Sequence, residues 1–318
     1  MDSIHNVIVL GASGTLGTAI IGKLLSTGFR VTVLSRPSSE QYNGEHYDKV
    51  LIKKASYGDL EGLTGAFNGQ DAIVEAFNPV AASNQRIIVR AAVAAGIRHI
   101  ITPEFGPDTF NPHISEVLIY EPKLEAQRQL EEELEFHRSQ SLSDATGKLP
   151  AWTGIAVGAW YDWGIETGRF WINKTTRTIN RIGSGNQLIS MCRVETCANA
   201  VSLVLSEPGK YRNRPAYFTN MTISTNELIS IVKDITGEEW SVSDVPMDGM
   251  SALGRKLWDE DTANGVTVRT TTQAYPILGT VSLFDEKDRY GANLGNKVEA
   301  SLYDTMDTFK ESLRKILM

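Results

Sequence analysis

Cysteine is almost missing from this sequence: only Cys192 and Cys197 occur in 318 residues. One pair cannot build a disulfide framework. With five scattered histidines it also makes a poor metal site, so buried, reduced thiols in a cytoplasmic protein are the expected reading. Long apolar runs are absent too. No window reaches the roughly 18 consecutive apolar residues of a membrane span. The start, Met1-Asp2-Ser3-Ile4-His5, lacks the basic region and apolar core of a secretory signal. Positive charge is in deficit: 31 Lys and Arg against 38 Asp and Glu give a net charge of −7. A nucleic-acid binder needs a basic face, so the balance favours small-molecule partners. No run of like charge is longer than Glu131–Glu133, for which a solvated helix face is expected. There is no internal repeat and no low-complexity linker. What is present, 42% hydrophobic and 22% charged residues, excludes a disordered or fibrous chain.

The first 160 residues alternate strand-like and helix-like segments. Strands are predicted at Asn6–Leu10, Val31–Leu34, Val50–Ile52, Ala72–Phe77, His99–Thr102 and Ala151–Val157. Helices are predicted at Thr15–Leu25, Leu60–Phe67, Asn84–Ala95 and from Tyr120 to His137. This rhythm implies right-handed βαβ units and an α/β Rossmann-type, doubly wound parallel sheet. After about residue 160 the pattern changes. Aromatics crowd Trp160–Trp171, and a strand is predicted at Thr178–Ile182. A helix at Val194–Leu205, a strand at Ala216–Thr219, a helix at Thr225–Ile235 and a long terminal helix over Lys297–Leu317 follow. The expected organisation is a nucleotide-binding domain over 1–158 and a smaller α+β substrate lobe over 159–318, with the chain crossing between them and a cleft where they meet. Oligomeric state stays open between monomer and homodimer.

Gly11-Ala12-Ser13-Gly14-Thr15-Leu16-Gly17 stands between the first strand and the first helix. In such a turn the first glycine permits the tight bend. The second admits a pyrophosphate to the backbone, and the third lets helix and strand pack closely. The helix N-terminus offers N–H groups and a positive dipole end, and Ser13 and Thr15 add hydroxyls. At the end of the second strand an NAD enzyme places a carboxylate for the ribose hydroxyl. This chain has Ser35-Arg36-Pro37-Ser38-Ser39 there. Arg36 suits a 2′-phosphate, so NADP(H) is the expected cofactor. After the third strand, Asp59 suits either the adenine amino group or the N-cap of the next helix. Phe77-Asn78-Pro79, after the fourth strand, is placed to pass under a ribose.

These residues, with the segment Arg98–Asp108 (RHIITPEFGPD) and Lys123 on the following helix, resemble the NmrA-like, isoflavone-reductase-like branch of the atypical short-chain dehydrogenase/reductases. Gly158–Gly164 (GAWYDWG) and Asn226–Gly237 (NELISIVKDITG) are similar to fungal members. The resemblance covers nearly the whole chain. It implies NADPH, small aromatic or polycyclic substrates, and Lys123 either as the general acid/base or as the group that polarises the substrate. Two departures stand out. Thr102-Pro103 replaces the usual Pro-Ser before Glu-Phe-Gly, and Ser139–Leu149 is a longer link than usual.

The Tyr-x-x-x-Lys pair of the wider superfamily is absent, because Tyr120 and Lys123 are three apart. Tyr120 is therefore read as a packing or pocket residue. A partly desolvated Lys123 near the nicotinamide has a depressed pKa suited to proton transfer. Glu104 either pairs with Lys123, acts as a second proton carrier, or bonds the loop backbone. Phe105 is placed to shield the nicotinamide and to touch substrate. Trp160, Tyr161, Trp163 and Trp171 belong to an aromatic cluster that is either core or, for some of its members, the wall of the substrate cleft. His113 and His137 stand alone and suggest no triad. Three functional readings follow. The first is an NADPH-dependent reductase of an aromatic or alkaloid-like metabolite. The second is a non-redox cyclase or isomerase that keeps NADP(H) as a structural element. The third is a dinucleotide-sensing regulator without turnover, against which Lys123 counts.

Overall fold

The computed structural model describes residues 3–38, 46–140 and 149–318. Ser39 and residues 141–148 of the long polar link lie outside the described residues. In chain order the first elements are β1 (Asn6–Leu10), α1 (Thr15–Ser26), β2 (Arg30–Ser35), β3 (Leu51–Lys54), α2 (Leu60–Phe67), β4 (Ala72–Glu75), α3 (Gln85–Ala94), β5 (His99–Thr102), α4 (Glu121–Gln140) and β6 (Ala151–Ala156). There follow β7 (Ala159–Trp160), α5 (Tyr161–Glu166), β8 (Ile172–Asn173), β9 (Thr178–Ile182), β10 (Leu188–Cys192), α6 (Val194–Ser206) and β11 (Arg214–Tyr217). The last are β12 (Met221–Ser224), α7 (Thr225–Thr236), β13 (Ser241–Val245), α8 (Met250–Ala263), α9 (Ala274–Phe284) and α10 (Met306–Leu317).

The chain divides into two compact units. One comprises Met1–Phe105, Pro122–Ile155 and Cys197–Ala216; the other comprises Gly106–Glu121, Ala156–Thr196 and Tyr217–Met318. The first carries a seven-stranded sheet in the order β11-β6-β5-β4-β1-β2-β3. Strands β1 to β6 pair in parallel. Strand β1 is a run of apolar, mostly β-branched residues because both its faces are covered. Ile8 and Leu10 join a cluster with Leu63 and Phe67 of α2, Ile88 of α3 and Leu130 of α4. Val7 and Val9 point the other way and are just as buried, as are Ile20, Ile21 and Leu24 of α1. At the far edge, β3 is poorly covered and Leu51 is exposed. The strand order reverses at β1, which lies between β2 and β4. In this architecture that reversal makes a crevice beyond the carboxyl ends of the strands.

The second unit holds two three-stranded sheets, β12-β10-β7 and β13-β9-β8. Its core gathers Tyr161, Trp171, Ile179, Met191, Leu228, Val232, Phe284 and Phe309. Helix α7 is set by a complete capping box between Ser224 and Glu227 and ends on Gly237 at φ +64°. Two expectations are corrected here. The terminal helix begins at Met306, not Lys297; Thr305 caps it by accepting from the Thr308 N–H, and the residues before it form two isolated 3-10 turns. The strand expected at Ala216–Thr219 runs over Arg214–Tyr217. Helices α8 and α9 were not anticipated from sequence. Pro276 and Gly279 both argue against a helix, yet Pro276 lies in the first turn of α9, where its missing N–H costs nothing. Gly254 lets the pair approach: a Cβ there would stand 2.8 Å from Leu278.

Candidate functional site

The glycine turn shows what each glycine is for. Gly11 has φ +83°, and a side chain there would run into the Ala76 carbonyl at 2.6 Å. Gly17 is required by packing, since a Cβ would overlap the Gly11 carbonyl and come within 2.8 Å of Ala12 Cα. Gly14 has neither reason. Its φ is −80°, and the nearest atom to an added Cβ is the Gly11 oxygen at an ordinary 3.6 Å. The protein itself does not need a glycine there; the missing side chain leaves the backbone open to a ligand. Gly14 is also the N-cap of α1, with no side-chain cap and no acidic residue in the first turn. The N–H groups and the positive end of that helix are left uncompensated. Ser13 and Thr15 are exposed beside it, while Leu16 is buried as an anchor. The donor set fits a dinucleotide pyrophosphate.

Around this turn, Arg36 is exposed just past β2. Its charge is felt by Tyr57, whose phenol is pushed up to about 12 by burial, against the pull of Arg36 and of the Gly11 backbone. Tyr57 and Phe77 lie 5.4 Å apart, tilted by 49°. Tyr57 was not anticipated; an aromatic directly ahead of Gly58-Asp59 was the available signal. Of the two roles open to Asp59, the cap is realised: its side chain accepts from the Gly62 N–H at 3.0 Å and starts α2. Asn78 is similarly occupied, accepting from the N–H groups of Val80 and Ala81 at the head of a 3-10 turn that opens with Pro79.

The carboxyl end of β5 gathers buried titratable groups. Thr102-Pro103-Glu104-Phe105 leaves the strand with Phe105 at φ +38°, a left-handed conformation costly for a bulky residue. Its N–H donates to Ile155 at 2.8 Å, and its ring is only 5% exposed. The tight turn brings the Glu104 carbonyl to Lys123, in the first turn of α4, whose ammonium donates to it. Lys123 is half-buried. Desolvation pulls its ammonium below the ordinary lysine range, and the charge of Glu104 opposes that pull. The Glu104 side chain is 1% exposed and accepts from Gln127, one turn along α4, at 3.1 Å and from Thr102 at 3.4 Å. Behind it, at the end of β4, stands Glu75, fully buried and pushed up to about 8 by burial, with Glu104 adding to the shift and the hydrogen bond from Gln85 opposing it. Glu75, Gln85 and Gln127 were missed in the sequence. A single carboxylate in the otherwise apolar run Ala72–Phe77 was the signal.

Tyr120 is a packing residue. Its hydroxyl is buried against Ser282 at 3.0 Å, and burial pushes it well above the ordinary phenol range. The aromatic cluster splits. Tyr161 packs edge-on against Phe309, and Trp171 stacks on Phe170 at 3.6 Å and meets Phe284 at 5.0 Å, so both are spent in the core of the second unit rather than on a wall. Trp160 and Trp163 stay half-buried, their rings 6.0 Å apart, with Arg169 over Trp163. Cys192 and Cys197 are buried thiols that form no disulfide. Among the described residues, no group of three or more His, Cys, Asp or Glu could hold a metal ion, and no helix is long and apolar enough to cross a membrane.

Residues 4–141 match the NmrA-like family. Oxidoreductase aprR of Aspergillus flavus is 30% identical over 241 residues, covering 74% of this chain and 75% of its own. Oxidoreductase poxI of Penicillium oxalicum is 26% identical over 267 residues, covering 83% of this chain and 80% of its own. Among solved structures, AtPrR2 with NADP+ and (+)pinoresinol superposes with a TM-score of 0.72 at 17% identity, over 99% of both chains. The binary complex of leucoanthocyanidin reductase and NADPH from Vitis vinifera gives 0.72 at 15% identity, over 98% of this chain and 99% of that one. These likenesses carry the fold. The family match over residues 4–141 and the aprR match across most of both chains establish that this chain belongs to the NmrA-like family.

Proposed function

We propose that this chain is an NADPH-dependent reductase of small aromatic or polycyclic molecules, with Lys123 delivering the proton. One observation carries the reading. A single unit holds both a glycine turn whose Gly14 is free of any demand from the chain and a half-buried lysine anchored beyond the carboxyl end of β5. The oxidoreductase names of the fungal relatives and the NADP(H)-bound neighbours support it.

When bound, NADPH supplies a hydride from its nicotinamide. Gly11, Ser13, Gly14, Thr15 and Gly17 would cradle the pyrophosphate on the N-terminus of α1, and Arg36 would pair with the 2′-phosphate. Phe77, Asn78 and Pro79 would follow the ribose by backbone, with the Phe77 ring beside it, rather than through the Asn78 side chain, which is occupied. Phe105 would back the nicotinamide side. Lys123, held at its Nζ by the Glu104 carbonyl, keeps one direction for its proton. Desolvation makes that proton easier to release to a substrate oxygen or carbon. Trp160 and Trp163 are the aromatic surfaces we assign to substrate.

The test is incubation of the purified protein with NADPH carrying deuterium at both C4 positions and either a panel of aryl-conjugated enones and benzylic ethers or an extract of the host, followed by mass spectrometry. Products one deuteron heavier support the reductase. Substrate transformed with the label left on the cofactor would replace the reading with cyclisation or isomerisation. Tight NADPH binding with no turnover of any panel member or host extract would replace it with a dinucleotide sensor.

A further inference from the structure

Glu75 is a lone carboxyl at the end of a central strand, fully buried, one position from the point where the strand order reverses. On its β1 side it is in register with Leu10, which is apolar. The groups that face it are Gln85 at the start of α3, Glu104 beyond β5 and, more weakly, Tyr57 after β3, with Lys123 and Gln127 of α4 reached through Glu104. No cation among the described residues forms an ion pair with it.

Its hydrogen bonds do not balance. Gln85 Nε2 donates to Glu75 Oε1 at 3.0 Å, yet Glu75 Oε2 and Gln85 Oε1 are both buried without a partner. A carboxylate and an amide oxygen are acceptors only. Exchanging the amide nitrogen and oxygen does not help, because the pair together is short of one donor. A proton on Glu75 Oε2 supplies it: the acid O–H donates to Gln85 Oε1 while the amide N–H donates back. Without that proton two orphaned acceptors and a second buried carboxylate, Glu104, would share one dry region, an arrangement that proteins avoid.

We propose that Glu75 is held as a neutral carboxylic acid in a two-point pair with Gln85, and that it is a positioning residue that leaves Glu104 as the single negative charge acting on Lys123. The second half of this rests on the reading of Lys123 as proton donor. An ionised Glu75 would add a second negative charge behind Glu104, hold the Lys123 proton more tightly and make it a weaker acid.

Glu75→Gln reproduces the donor and acceptor edges of the neutral acid, so it separates charge from packing. In the wild type the folded state keeps the Glu75 proton from the ordinary glutamate range up to about 8. The unfolded chain has lost it there, so stability falls as pH rises through that window. The variant lacks this fall. The expected result is a Tm gap in favour of Glu75→Gln that is small near pH 5 and widens toward pH 8. Infrared difference spectra should show a protonated carboxyl band in the wild type at neutral pH, absent in the variant. The alkaline limb of kcat/KM, set by two ionisations in the wild type, should follow Lys123 alone in Glu75→Gln. Glu75→Leu, which removes both hydrogen bonds, should lower Tm at every pH. A constant Tm gap with no carboxyl band would overturn the proposal. If Glu75→Gln does not fold, the wild-type band decides it: present at neutral pH and lost by about pH 9, or never there. The Tm and infrared readouts need no substrate. An inactive protein that keeps the band therefore refutes the reductase alone, and an active one without the band refutes only the acid–amide pair.

Discussion

Gly14→Ala and Gly17→Ala place the same methyl three residues apart, and the structure assigns them opposite fates. At Gly14 the backbone lies at φ −80° and ψ 164°, open to alanine, and the nearest heavy atom to the new Cβ is 3.6 Å away. The stiffer unfolded chain favours alanine by about 0.4–1 kcal/mol. Loss of a well-tolerated N-cap residue offsets that by a similar amount. The net change is within about 1 kcal/mol, which for a chain of this size is a Tm shift of about 2–4 °C at most. At Gly17 the methyl overlaps the Gly11 carbonyl and crowds Ala12 Cα at 2.8 Å. Backbone, not a flexible side chain, must give way. Overpacking of this kind costs about 1–3 kcal/mol, so we expect the larger end and a drop in Tm on the order of 10 °C. Binding reverses the order of interest. If Gly14 is bare to admit a pyrophosphate, its methyl should weaken NADPH by at least about tenfold, or 1.4 kcal/mol, in a protein that melts like the wild type. Thermal unfolding without ligand, paired with titration of NADPH fluorescence, reads both quantities. Wild-type affinity in Gly14→Ala would refute the assignment of the turn. A collapsed Tm in that variant would refute the account of the space around it.

Other expectations follow from the same geometry. Lys123→Ala should lower turnover by about 10²–10⁴-fold while NADPH affinity measured by fluorescence is kept; unchanged turnover would remove Lys123 from the chemistry. Because desolvation lowers the Lys123 pKa, the protonated donor is lost on the alkaline side at a pH below the ordinary lysine range, and the kcat/KM profile should show that limb in the wild type and not in Lys123→Ala. Arg36→Ala should cost NADPH about 1.5–3 kcal/mol of a charge-assisted bond and leave NADH nearly untouched; equal losses in paired titrations would refute a 2′-phosphate contact. Glu133 is 2% exposed and bonds both Arg86 and Arg90, which are 39% and 46% exposed. Glu133→Ala should therefore lose about 1–2 kcal/mol in urea unfolding, the partly exposed arginines rehydrating rather than being stranded.

The first unit was largely legible because its signals are local. Asn6–Leu10, Leu60–Phe67 and His99–Thr102 match their observed elements end to end. Asn6–Leu10 and His99–Thr102 are short β-rich runs that stop at Gly11 and Pro103, and Leu60–Phe67 is a short amphipathic stretch that starts after Asp59. The glycine turn was legible for the same reason, since strand, turn and helix adjoin in sequence. What stayed hidden depends on contacts between distant residues. Whether Asp59 caps a helix or meets a ligand turns on where its own helix starts. Whether Tyr161 and Trp171 face a substrate or a core turns on Phe309 and Phe284, more than a hundred positions away. Glu75 and Gln85 are ten residues apart, but a missing donor becomes visible only when both are known to be dry. Helix α8 has a single buried residue, Gly254, so no apolar stripe marked it.

The edge strand β11 has a consequence for how the protein is made. It lies beside β6 in the seven-stranded sheet, yet it is encoded after residues 156–196, which belong to the other unit. On the ribosome, β6 is therefore finished long before its neighbour exists. At about 5–20 residues per second, its edge waits several seconds with unpaired N–H and C=O groups along an apolar strand. The nascent chain is most exposed to chaperones and to misassembly in that interval, and a gene fragment ending near residue 158 would leave it there permanently.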